Sequence, residues 1–132
     1  MTKKKTFLDP LRSRTRPAYR LENERNGSVL ATDVVPAFDS ASRRTGLLKH
    51  DSMPEGSALV IAPTNAIHTF FMRFPIDVVF VARDGTAVSV RHNLAAWRIA
   101  AAWRGFAVIE LPSGVLARSG TVTGDRLRLV AP

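Results

Sequence analysis

The run Ile76-Asp77-Val78-Val79-Phe80-Val81-Ala82 narrows the fold more than any other stretch of the chain, because both faces of a period-two strand here carry apolar residues. Ile76, Val78 and Phe80 share one face, and Asp77, Val79 and Val81 share the other. Such a strand belongs in the middle of a sheet that is covered on both sides. Asp84-Gly85 follows, and then the alternating Ala87-Val88-Ser89-Val90, so a hairpin is predicted around the Asp-Gly turn. Asp77 is the exception within the run. An ionised carboxylate without partners is expensive to bury. Either backbone N–H groups or a cation satisfy it, or its pKa rises and it keeps its proton.

A chain of 132 residues is the size of one domain, and without cysteine its fold depends on apolar packing alone. Asn26-Gly27 between two apolar-alternating runs predicts a second hairpin, with strands near Tyr19–Glu22 and Val29–Val35 and Pro36 ending the latter. Residues 38–50 change period. Asp39 or Ser40 can cap a short helix there, with Ala41, Leu47 and Leu48 on its apolar face, Gly46 weakening it and Lys49 and His50 at its end. Residues 57–63, 106–112 and 125–130 read as further strands, and residues 113–120 as a short helix or tight turn. Trp97 and Trp103 are six apart, which does not fall on one helical face, so residues 95–105 read as an irregular loop. Seven or so short strands with turn chemistry between them predict an all-β fold, a sandwich or barrel with one or two short helices.

The net charge of +8 is concentrated at the start. Residues 1–25 carry eight Lys and Arg against Asp9, Glu22 and Glu24, and the remainder is close to balanced. Residues 1–16 therefore read as a basic flexible tail and residues 17–132 as the folded domain. No apolar run follows the basic start, which argues against a secretory signal, and no window is apolar for the ~18 residues of a membrane span. The expectation is a soluble, cytoplasmic protein. Nucleic acid enters only as a weak, salt-dependent partner of the tail.

Phe70-Phe71-Met72-Arg73-Phe74-Pro75-Ile76-Asp77-Val78-Val79-Phe80, with its Asp-Gly turn, resembles the central motif of a bacterial and archaeal family known as domain of unknown function 192 (DUF192). Val108-Ile109-Glu110-Leu111-Pro112-Ser113-Gly114, followed by Gly124-Asp125, is similar to its second block, Arg43-Arg44-Thr45-Gly46-Leu47-Leu48 to its third, and Ala95-Ala96-Trp97-Arg98 to its Pro-Trp-Arg segment. The blocks stand in the family's order over roughly residues 29–130. Two departures are Phe71, where the family carries Trp, and Gly56-Ser57-Ala58-Leu59-Val60-Ile61 in place of its Gly-Met-Leu-Phe strand. The resemblance implies a β-sandwich of jelly-roll type and no known activity.

For Asp77 two readings stand: a latch that accepts hydrogen bonds from the loop over residues 63–74, or an acid, base or ligand-binding carboxylate. His68, Met72 and Arg73 could be presented near it by that loop. Glu110 is either a solvent-facing strand residue or the second carboxylate of a pair. Trp97 and Trp103 are either a stacking platform for a sugar or base or core or lid residues, and the alanines around it favour Trp97 as a lid over an apolar patch. His50, His68 and His92 lack the spacing of a metal site, and Ser113 has no evident base. No metal or cofactor is expected. These readings combine into a non-catalytic binding domain for a small polar ligand, carbohydrate-like or peptide, in a cleft near Asp77. The alternative is a small hydrolase or isomerase using Asp77 with His68 or Glu110. Exposed edge strands leave monomer and homodimer both open.

Overall fold

The computed structural model describes residues 5–13, 15–39 and 52–132. Among these, the chain is mostly β: β1 (Arg20–Asn23), β2 (Val29–Ala31), β3 (Asp33–Ala37), β4 (Ser57–Ile61), β5 (Ala66–His68), β6 (Ile76–Val81), β7 (Ala87–Leu94), β8 (Ile99–Ala101), β9 (Ala107–Pro112) and β10 (Leu127–Val130), with helix α1 (Val115–Ser119). The all-β expectation holds. Residues 40–50 of the helix expected near the middle of the chain, His50 included, lie outside the described residues.

The main sheet runs β3-β4-β9-β6-β7, with β3 and β4 parallel and the other neighbours antiparallel. β6 and β9 are buried at every position. β10-β1-β2 form a second sheet and β5-β8 a two-stranded ribbon. The sheets thus hold five, three and two strands, one pair of them parallel, where a jelly roll divides eight antiparallel strands between two sheets.

Period-two alternation sorts the core into two clusters. Val60, Val79, Val81, Ile109 and Leu111 project from the first face of the main sheet and pack with Leu21, Leu30 and Leu127 of the three-stranded sheet and Leu116 of α1. Ile76, Val78, Phe80 and Val108 project from the second face, beneath Ile67 and Ala100 of the ribbon, with Met53 and Met72 beside them.

Three expectations change. The strand foreseen over Val29–Val35 is two strands in two sheets, and Pro36 lies inside β3, an edge strand where a missing N–H is tolerated. Residues 95–105 contain β8, whose alanines hid a short pairing with β5. The tail is also not all separate from the domain: Leu8 and Leu11 are buried in the first cluster, the Phe7 N–H bonds to the Arg83 carbonyl at 2.8 Å, and a 3-10 turn spans Asp9–Arg12. Residues 7–12 therefore belong to the body of the fold. At Gly85, beside Phe7, a positive φ of 91° makes the β6–β7 turn, and any Cβ would run into the Leu127 carbonyl oxygen.

Candidate functional site

Asp77 is 1% exposed and points from β6 toward the first face. Its Oδ1 accepts the Asn93 N–H at 2.8 Å, and its Oδ2 accepts the Gly114 and Leu116 N–H groups at 3.0 and 2.9 Å. The donors come from the end of β7 and the start of α1, not from the residues 63–74 loop. Gly114 has φ 99°, so its N–H turns inward to meet the carboxylate. All three donors are backbone groups of a strand end and a helix start. The carboxylate joins those two elements to β6, which is what a helix start without its own side-chain cap needs.

Glu110 departs from both of its expected roles. It pairs with Val78 on one side and Leu59 on the other, so its side chain leaves the second face, opposite to Asp77, whose partner is Leu111. It is 4% exposed, and its Oε2 has no hydrogen-bond partner. Burial alone pushes its carboxyl pKa up to about 7. Asp77 and Glu110 therefore do not form a pair around one substrate.

His68, Phe70, Phe71 and Trp97 do come together, away from Asp77. The His68 and Phe70 rings stack at 4.9 Å, Phe70 and Trp97 at 5.8 Å, and Phe71 meets Trp97 edge-on at 4.7 Å. Phe71 is 67% exposed and Trp97 55% exposed. Trp97 thus stands against two phenylalanines on the surface and covers no sealed apolar patch. Both Phe71 and Trp97 have positive φ, 68° and 63°, a conformation unfavourable for bulky side chains. Met72, next in the chain, turns inward and is buried, whereas Arg73 is exposed.

A residue that the sequence did not single out holds this arrangement. Thr69 is fully buried, and its hydroxyl donates to the Ala95 carbonyl at 2.6 Å and accepts the Arg98 N–H at 2.9 Å. Its own N–H bonds to the Arg98 carbonyl at 2.8 Å, and its carbonyl accepts the Trp97 N–H at 3.0 Å. Every polar atom of Thr69 is thereby spent on fixing residues 95–98 against the 69–72 turn. A lone threonine between His68 and two phenylalanines carries no motif, so nothing in the sequence marked it.

The remaining candidates are dispersed. Trp103 is 81% exposed at the other end of β8, with the Arg104 guanidinium 5.2 Å from its ring centre. The Ser113 hydroxyl donates to the Asn93 side-chain oxygen at 2.6 Å rather than to a histidine. Among the described residues no three His, Asp or Glu side chains gather as a metal site would require, and no helix is long and apolar enough to cross a membrane.

Two solved structures share this fold. A proposed transcription regulator from Sinorhizobium meliloti has 25% sequence identity and a TM-score of 0.72, over 84% of this chain and 91% of that one. A protein of unknown function from Novosphingobium aromaticivorans has 21% identity and a TM-score of 0.69, over 83% and 82%. Among curated proteins, no sequence matches. Residues 21–129 match DUF192 (Uncharacterized ACR, COG1430), a span that takes in every strand from β2 to β9 and the blocks around Asp77 and Glu110, and the chain belongs to that family.

Proposed function

We propose that this protein is a non-catalytic binding domain whose ligand surface is the aromatic platform of Phe70, Phe71 and Trp97, with His68 and Arg98 at its margin. The observation that carries this reading is the pair Phe71 and Trp97: two bulky residues held at positive φ with their rings exposed and in mutual contact. Backbone strain of this kind costs about 1–3 kcal/mol per residue and persists where the surroundings enforce it, which Thr69 does here. Nothing in the packing of the core requires those two rings to face water.

The ligand class that fits is carbohydrate-like. The apolar face of a sugar ring stacks on Trp, and the hydroxyl rim finds donors such as the Arg98 guanidinium and the His68 imidazole. Ile99, 67% exposed on β8 between Trp97 and Trp103, lengthens the apolar surface along the ribbon. Asp77 has no part in this site, because its oxygens are already engaged by three backbone donors.

Nucleic-acid binding, which would suit the role proposed for the Sinorhizobium protein, finds less support. Arg12 meets Asp9 and Phe38, Arg20 and Arg128 share Glu22, and Arg25 is held by Asp125. These cations are committed within the fold.

Titration with a panel of oligosaccharides and short peptides, followed by Trp emission, tests the reading. A saturable response to a sugar that Trp97→Ala and Phe71→Ala abolish is expected. A response to peptides only, to nothing, or one that survives both substitutions overturns it.

A further inference from the structure

Among the described residues, Glu110 on the second face of the main sheet has a buried oxygen, Oε2, with no hydrogen-bond partner. On the second face of the main sheet, one row of cross-strand neighbours reads Val35, Leu59, Glu110, Val78, Arg91. The residues flanking Glu110 are apolar, and Arg91 stands two strands away, about 10 Å, with its side chain exposed. Over this face lie Met53, Met72, Ile67 and Ala100. None of them has a side-chain donor to offer Oε2. Among the described residues a charge at Glu110 would find no hydrogen-bond donor at Oε2, so the closed structure favours the neutral acid.

The layer covering Glu110 is thin, and its outer side is the platform. Met72 faces the sheet and Phe71, its chain neighbour, faces outward against Trp97. In the ribbon, Ile67 and Ala100 face inward while His68 and Ile99 face outward. The inner and outer surfaces are alternate residues of the same segments. Whatever lifts the inner side disturbs the outer one.

We propose that this layer is a pH-responsive roof: it lies closed on the sheet while Glu110 is neutral, and when Glu110 ionises the Met72 turn and the β5–β8 ribbon lift to admit water, breaking the Phe71–Trp97 arrangement. Among the described residues, the charged or titratable groups facing Glu110 are few. β4, β6 and β9 offer none on this face, β3 offers Asp33 at its exposed end, and β7 offers Arg91. The roof carries His68, Arg73 and Arg98, all exposed on its outer side. None of these is hydrogen-bonded to Glu110 Oε2. Burial pushes the carboxyl up to about 7, so the transition falls close to neutral pH.

The predicted loss of ligand at alkaline pH rests on the platform being the binding surface; the movement of the roof does not. Amide hydrogen exchange of the whole chain between pH 5.5 and 8.5, corrected for intrinsic rate, reads the roof directly. The Thr69, Met72 and Trp97 N–H groups should exchange at least five-fold faster above the transition, and the carboxyl carbon-13 shift of Glu110 should titrate with the same midpoint. Glu110→Gln should hold the slow rate throughout. Equal corrected rates at both ends of the range, a Glu110 midpoint near 4.5, or a transition that survives Glu110→Gln overturns the proposal. Should Glu110→Gln not fold, the wild-type midpoints alone decide. Sugar titration at pH 5.5, with the roof closed, separates failure of the binding reading from failure of the roof.

Discussion

Asp77 and Glu110 occupy adjacent pairing positions on the two central strands, Asp77 opposite Leu111 and Val78 opposite Glu110, yet their carboxyl groups leave opposite faces of the sheet. One step of the pairing register separates their positions along the strands, and that step puts them on opposite faces of the sheet. Their environments differ accordingly. Asp77 is satisfied by three backbone donors, and Glu110 has an oxygen with none.

The first prediction concerns Asp77. Asp77→Asn leaves one acceptor oxygen and turns an NH2 group toward backbone donors, so at least one buried N–H loses its partner. Hydrogen bonds to charged groups contribute about 1.5–3 kcal/mol each, and an unpaired buried donor costs as much. We expect a loss of about 2–4 kcal/mol, a fall in Tm of about 8–15 °C for a domain of this size. An unchanged Tm in differential scanning calorimetry would show that Asp77 does not join α1 to β6 as described.

The second concerns Glu110 and the global stability of the chain. Its folded pKa, about 7, stands above the ordinary 4.5. Between those values the native state holds a proton that the unfolded chain has released, so stability falls as pH rises through this window and levels off above it. The gap corresponds to a few kcal/mol. Glu110→Gln, which cannot ionise, should flatten the slope between pH 4.5 and 7 and melt higher than the wild type at pH 8. Parallel urea-melt curves for the two proteins across that range would count against it.

How much of this was legible beforehand differs by residue. β6 was readable as a central strand because both of its faces are apolar, while β9 was readable as a strand but not as a buried one. The hairpins at Asn26-Gly27 and Asp84-Gly85 were readable because their turn chemistry is local. β8 was not, since three residues of Ile-Ala-Ala carry too little periodicity to outweigh their helical propensity, and only the partner β5, some thirty residues earlier, makes them a strand. That Asp77 needed partners followed from its place in the run. Which partners it found depended on the β7 end and the α1 start meeting behind the sheet, a tertiary fact. The burial of Glu110 was obscured because a strand of alternating residues can wet one face, and the ribbon that keeps this face dry was itself unread.

A third prediction isolates Thr69. Thr69→Val preserves shape and removes the hydroxyl, leaving the Ala95 carbonyl and the Arg98 N–H without that partner. We expect a cost of about 2–3 kcal/mol together with a shift in Trp97 emission. Thr69→Ser should recover most of both, because the hydroxyl and not the methyl makes the contacts. If Val and Ser variants behave alike in urea melts, the hydroxyl does not hold the 95–98 turn.

The last prediction addresses the start of the chain. Leu8 and Leu11 are 0% and 2% exposed and lie in the same cluster as Val81 and Leu127, so they contribute to the core of the domain. Truncating a buried leucine to alanine removes its transfer free energy and leaves a cavity, typically about 2–5 kcal/mol in all. Leu8→Ala should therefore destabilise the domain by that amount, and deletion of residues 1–12 by more, since Phe7 and its bond to Arg83 are lost as well. Lys5→Ala, at an exposed position just outside this packing, should leave the melting temperature within about 1–2 °C. A deletion variant that melts like the full chain would return residues 7–12 to the status of a detachable arm, and the charge they carry with them to a role outside the fold.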